Sequence, residues 1–157
     1  MDALHSLATA WQAEPATQTV TVATTEAVVA FQQAAGLLLP ADMTQYFLTV
    51  NGSNDQYDAN FFAFYTLANL TSIQSKFADY HGVPKYSDLL YTFDQCGTCY
   101  VFADFMISLT AYAIQLHPEP SPTNTVYVVC GGVYKAIASS FSEFLELYVA
   151  DSDKLYL

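Results

Sequence analysis

Arginine is absent from this chain of 157 residues, and lysine occurs only at Lys76, Lys85, Lys135 and Lys154. Fifteen acids oppose those four cations, for a formal net charge of −11. Contacts to phosphate are made mainly by Lys and Arg, so the balance argues against a nucleic-acid partner. It argues equally against an anionic membrane surface. No apolar run approaches the ~20 residues that a membrane-crossing helix needs; GLLLPA, from Gly36 to Ala41, is typical of the longest. The opening MDALHSLATAW carries an acid where a secretory leader carries positive charge, so the expected location is the cytoplasm. Cysteine is scarce and odd in number, with three, which does not build a disulfide framework. No repeat or low-complexity block is present, and the one proline-rich stretch, His117 to Asn124, is short enough to be a turn.

What is abundant is apolar and aromatic. Hydrophobic residues make up 53% of the chain, with 12 Tyr and 11 Phe, so a packed single domain over 1–157 is expected. A Tyr left at the surface offers contact area and a hydroxyl together. The acidic excess suits either simple solubility or long-range attraction of a basic partner.

The stretch Leu37 to Gly52, LLLPADMTQYFLTVNG, shows how closely the chain is punctuated. A helix starting near Thr24 or Thr25 has Glu26 in its first turn and should end at Gly36, where a residue of positive φ fits. Pro40 cannot continue that helix but suits the start of the next, with Asp42 in its first turn. Met43, Tyr46, Phe47 and Val50 then recur at i, i+3, i+4 and i+7, and Asn51-Gly52 closes the segment. The result is a helix hairpin. A further short helix is expected over Ala3 to Trp11, ahead of the β-prone QTVTVAT.

Beyond the polar loop NGSNDQYDAN, the run NFFAFYTL reads as a buried strand. From Leu89 the pattern turns to β: LLYTF, CYVFADFMI, TAYAIQL, TVYVVC and VYKAIA, separated by turn signals as in an antiparallel meander. The last segment, SSFSEFLELYVAD, has Ser140 and Glu143 at capping-box spacing and an apolar stripe of Phe141, Phe144, Leu145 and Tyr148. Helices, then strands, then a helix give an α+β fold with a mostly antiparallel sheet.

Reactive constellations are sparse. Cys96-Gly-Thr-Cys99 is a CxxC, yet it lies between β-like runs, not at a helix N-terminus where a thiolate gains stability, and Gly-Thr suits a turn. A zinc site would have to recruit Cys96, Cys99, Cys130 and His81 or His117 without a second close pair. His5, His81 and His117 are isolated, no GxSxG occurs, and Ser139-Ser140 read as a helix cap. Gly131-Gly132 is a turn without a phosphate-loop pattern, and Asp55 and Asp58 lack the EF-hand order. No cofactor and no catalytic residue is expected. Binding residues are easier to nominate. Asp55, Tyr57 and Asp58 share the polar loop, and Asp79, Tyr80, Tyr86 and Asp88 share the irregular segment before the meander. Acid beside Tyr fits a surface that attracts a basic partner and packs rings on it; ordinary solvated loops fit the same residues. Asp104, inside VFADFM, suits a buried, hydrogen-bonded role.

In their order, these parts resemble the SUKH superfamily, the Smi/Knr-type domains. The resemblance rests on the LP–acid–YF–NG sequence of Leu39, Pro40, Asp42, Phe47, Asn51 and Gly52, on YVFADFMISLTAYAIQL with Asp104, and on IASSFSEFLELYVAD with Ser140 and Phe141. It spans about residues 25–151. It implies a helix-flanked antiparallel sheet and a non-enzymatic binding role. Many bacterial members are immunity proteins that neutralise polymorphic toxins, often nucleases or deaminases, and fungal relatives are regulatory scaffolds. The matching residues look architectural. The expectation is therefore a protein that binds a cognate toxin with a basic surface; a regulatory scaffold is the alternative, and a thiol or zinc enzyme built on the CxxC the remotest one.

Overall fold

A computed structural model describes residues 2–17 and 21–157. The β-prone run over 18–24 falls partly outside it at 18–20, and residues 21–24 form no regular element. Six α-helices and six strands are present among the described residues. They are α1 Ala3–Ala13, α2 Thr25–Ala35, α3 Ala41–Thr49, β1 Phe62–Phe64, β2 Thr71–Ser72, α4 Ile73–Phe77, α5 Leu89–Thr92, β3 Cys99–Phe105, β4 Thr110–Gln115, β5 Val126–Cys130, β6 Val133–Ala138 and α6 Phe141–Val149. All strand pairs are antiparallel, in the order β1-β3-β4-β5-β6, with β2 paired beside β1 along the same edge of β3. No helix among the described residues is long and apolar enough to cross a membrane.

The helix boundaries follow from local chemistry. The Thr24 side chain accepts from Ala27 N–H to cap α2, and Gly36 ends it at φ 67°. Pro40 is the N-cap of α3, whose stripe of Met43, Tyr46, Phe47 and Val50 is wholly buried. Asp42 ties this corner to the far end of the chain: one carboxylate oxygen accepts from Met43 N–H and the other from Ser142 N–H, 2.8 Å each. The Ser140 hydroxyl accepts from Glu143 N–H at 3.0 Å, while the Glu143 carboxylate accepts from the amide and hydroxyl of Ser139. The capping box is thus closed one residue earlier than its usual reciprocal form.

Two cores lie on opposite faces of the sheet. The larger one packs α1, α2, α3 and α6 against Phe102, Tyr112, Ile114, Val126 and Val128, and holds Trp11, Tyr46, Phe64, Phe141, Phe144 and Tyr148. The smaller packs α4 and α5 against Val101, Ala111, Ala113 and Val129. A bulge between Val101 and Ala103 in β3 turns Phe102 and Ala103 both toward the larger core.

One segment differs from its sequence reading. LLYTF, read as a strand, is the short helix α5, preceded by a tight turn over Tyr86–Asp88. Leu89 and Phe93 lie one helical turn apart, are joined by a 2.9 Å bond from Phe93 N–H to Leu89 O, and both enter the smaller core. Packing on the sheet outweighs β propensity over so few residues. The CxxC consequently forms a turn between a helix and a strand, not between two strands.

Candidate interaction surface

The loop between α3 and β1 begins with Asn51 and Gly52 at φ 54° and 78°. A Cβ on Gly52 would stand 2.6 Å from the carbonyl oxygens of Phe64 and Tyr65, so only glycine fits here. The Asn51 side chain accepts from Leu67 N–H at 2.8 Å and donates to Thr21 O at 3.2 Å. Ser53 is buried, and its hydroxyl accepts from Phe64 N–H and donates to Gln56 O. Asp55 accepts from Thr66 N–H at 3.1 Å and from the Asn69 amide at 2.8 Å. The loop is stitched to β1 by its own polar side chains, as the residue types Asn, Ser and Asp permit.

Two of the seven nominated binding residues are internal. Asp58 is 6% exposed, and its carboxylate accepts from the amides of Asn60 and Phe62, from the Trp11 indole at 3.2 Å and from the Tyr148 hydroxyl. It joins α1, the loop and α6, and offers nothing to a partner. Tyr86 is fully buried, stacked on Phe77 at 4.5 Å, with its hydroxyl donating to Ser108 O at 2.7 Å. The partners that bury both residues are distant in sequence, so a local reading could not find them. The other five stay at or near the surface: Asp79 is exposed, Tyr57 is just exposed, and Asp55, Tyr80 and Asp88 are half-buried. Tyr80 leans on Phe77 and Tyr86, and Asp88 pairs with Lys85 at 3.2 Å.

Asp104 organises the area. It lies in β3 opposite Ala63 and Ala111 and is buried. One carboxylate oxygen accepts from the Tyr57 hydroxyl at 2.5 Å and from Ser108 N–H at 2.9 Å; the other accepts from the Tyr65 hydroxyl at 2.6 Å. Lys76 Nζ sits 4.5 Å from the centre of the Tyr65 ring. Burial first, and then the Asp104 carboxylate, pushes both phenols above the usual tyrosine range, so each remains a hydrogen-bond donor. Burial draws the Lys76 ammonium down, against the pull of Asp104 and Asp55.

What Asp104 and Tyr86 hold from two sides is the turn between β3 and β4. Met106, Ile107 and Ser108 are all left-handed, at φ 49°, 54° and 62°, and Leu109 N–H donates back to Phe105 O at 2.9 Å. This is one turn of left-handed helix made without Gly, Asn or Asp, and a β-branched residue at positive φ is a marked outlier. Ile107 is 84% exposed at its tip. Met106 and Leu109 are about half exposed, and Phe61, also left-handed at φ 66°, is 60% exposed, its carbonyl accepting from Met106 N–H at 2.9 Å. The sequence reading set a turn at Ser108-Leu109 but carried the strand on through Met106 and Ile107, because MISL holds no turn-forming residue except serine.

The thiols are placed for packing. Cys96 Sγ donates to Phe93 O at 2.9 Å, and Cys99 Sγ to the Gln115 side chain at 3.0 Å. Both are buried, and burial pushes both thiols up, away from thiolate chemistry. Among the described residues, no three His, Cys, Asp or Glu side chains are grouped so as to hold a metal ion.

The profile of the SMI1 / KNR4 family (SUKH-1) matches residues 22–147. A comparison with curated proteins finds no match. The matched span holds Asn51-Gly52, Asp58 and the Asp104 turn; Trp11 and Tyr148, two of the donors to Asp58, lie outside it.

Proposed function

The chain belongs to the SMI1/KNR4 family (SUKH-1), known in toxin-immunity and regulatory roles, and from that premise we propose that it binds and neutralises a cognate protein toxin with a basic surface. The observation that carries the reading is the placement of charge. Exposed acids occur all round the molecule: Asp2 at the N-cap of α1, Glu26 on α2, Asp79 after α4, Asp94 after α5, Glu119 in the proline-rich turn and Glu146 on α6. Of the four lysines, Lys76 is half-buried over a ring, Lys85 is paired with Asp88, and Lys135 and Lys154 are exposed, far fewer cations than the exposed acids. A basic cleft, such as one that holds nucleic acid, would be drawn to such a surface and covered by it. Steering of this kind raises association rates by roughly 10–10³-fold and fades with salt.

The polar groups that could be mistaken for reactive ones support this reading, because they are spent on structure. Asp58 and Asp104 accept internal donors, and the thiols point at carbonyl and amide oxygens. The test is binding to the effector encoded beside this gene in its native host, measured at low and at high ionic strength. A tight complex whose association slows as salt rises is expected. No complex at low salt would overturn the proposal and favour an endogenous regulatory partner.

A further inference from the structure

We infer that the left-handed β3–β4 turn is a docking knob, whose Ile107 and Met106 insert into a concave apolar pocket with a basic rim on the partner protein. This deepens the proposed function and rests on it, since it names the surface through which a basic partner would be held.

Three independent observations converge on the turn. The first is exposure. Phe61, Met106, Ile107 and Leu109 are gathered at one end of the sheet and exposed, and Ile107 stands out furthest. Tyr57, a fifth exposed side chain, reaches the turn through Asp104, one oxygen of which accepts from both its hydroxyl and the Ser108 amide. Side chains projecting from a hairpin tip form a convex body, which calls for a concave receiver. The second is backbone. Three successive positive-φ residues without glycine are unfavourable, and such conformations persist only where the surroundings over-determine them. Here the surroundings are explicit: Asp104 holds the Ser108 amide and Tyr86 holds the Ser108 carbonyl. The chain thus fixes from beneath a turn that its own residues disfavour, and the side chains on that turn make no use of the core. The third is charge. Tyr156 packs on Phe105, the residue that opens the turn, at 5.3 Å, and it lies in the field of Asp151 and Asp153. Both acids are exposed, as is Lys154 beside Asp153, so the segment keeps one negative charge in excess.

Charge also selects the occupant. A second copy of the chain would bring another −11 to the same contact, so self-association through this tip is opposed by like charge. A partner pocket with Lys or Arg around its mouth meets Asp151 and Asp153 favourably while the apolar tip loses water inside it.

The proposal separates binding from folding in a way that a purely structural turn would not. Asparagine accepts the left-handed region more readily than isoleucine, so Ile107→Asn relieves the backbone while removing the apolar tip. The expected result is an unchanged or raised Tm together with about a 30-fold or greater loss of affinity for the neighbouring effector. Where the partner is not that effector, a photo-crosslinking residue at position 107 in the native host reports directly. Position 119, exposed in the turn at the opposite end of the sheet, serves as the control. An adduct from position 107 and not from 119, joined to a partner segment that carries apolar and basic residues, is expected. No adduct, equal adducts from both positions, an adduct of the chain with itself, or unaltered affinity of Ile107→Asn would overturn the knob. Salt-sensitive effector binding that survives Ile107→Asn removes the knob and leaves the proposed function standing. Position-specific crosslinking to a partner whose binding ignores salt overturns the basic rim together with the proposed function.

Discussion

Asp104 carries more structural responsibility than its position inside a strand suggests. Two phenols and a backbone amide converge on it, and the amide belongs to the strained turn. Replacing it by alanine strands those donors, two of them partly buried. Leaving buried donors unsatisfied costs about 1–3 kcal/mol each, so Asp104→Ala should destabilise the fold by about 3 kcal/mol. For a domain of this size that lowers Tm by roughly 10 °C. Asp104→Asn keeps one acceptor but turns an NH2 toward a donor, and a smaller loss, about 1–2 kcal/mol, is expected. Thermal and urea unfolding measure both. Amide exchange at Ser108 supplies the specific readout: protection there should fall in either variant, and unchanged protection would show that the turn is held by other means. Asp58 behaves in parallel on the other face, with Trp11 and Tyr148 as its distant donors. The role of Asp58 cannot be read from a neighbouring residue, because its bonds to Trp11 and Tyr148 span 47 and 90 positions. Asp104, in contrast, was legible as buried and hydrogen-bonded from its place inside VFADFM, though its tyrosine partners, 47 and 39 positions away, were not.

Elements with a sustained period were legible from sequence. The stripe of Met43, Tyr46, Phe47 and Val50 and that of Phe141, Phe144, Leu145 and Tyr148 both face the larger core, and Gly36, Pro40 and Ser140 mark the boundaries foreseen for them. Strands β3 to β5 are covered on both faces and show no alternation; they and β6 were legible as short β-branched and aromatic runs set between turn residues. The failure at LLYTF has the converse cause: a helix of four residues displays no period, and its local preference is β. Of the candidate site, the loops were legible and the accessibility of individual side chains within them was not. Asp58 and Tyr86 are indistinguishable by composition from Asp55 and Tyr80, and only tertiary packing separates them. The helix caps give this scale its prediction. Ser140→Ala should cost about 1 kcal/mol, since it frees the Glu143 amide. Glu143 adds a pH signature. Its carboxyl is held below the usual Glu range by the Ser139 amide and then the Ser139 hydroxyl. A depressed native pKa means that stability is complete above the unfolded-state value, near 4.3, and is lost as pH falls through the native one. Glu143→Gln should therefore flatten the acid side of the stability profile below about pH 4.5 and leave its alkaline side unchanged. A profile that is identical in the variant would contradict the shift.

Across the whole molecule one field acts on two properties with opposite signs. A net charge of −11 on 157 residues repels itself in the folded state more than in the expanded one, because folding brings the acids together. Ion pairing offsets little of this: Lys85–Asp88 is solvent-exposed, and such pairs contribute ~0–1 kcal/mol. Added salt shortens the screening length from about 30 Å at 0.01 M to about 8 Å at 0.15 M, so repulsion between exposed acids farther apart than the shorter length is largely screened. Tm should therefore rise by several degrees between those conditions at pH 7, while association with a basic partner slows over the same range. Calorimetry and stopped-flow binding on one protein sample read the two effects side by side. If acidity serves recognition, the two slopes are opposed and share a dependence on the exposed acids, so Asp151→Asn with Asp153→Asn should weaken both. A binding rate indifferent to salt, beside a Tm that still climbs, would leave the charge as a device for solubility and take from the acidic surface its part in finding a partner.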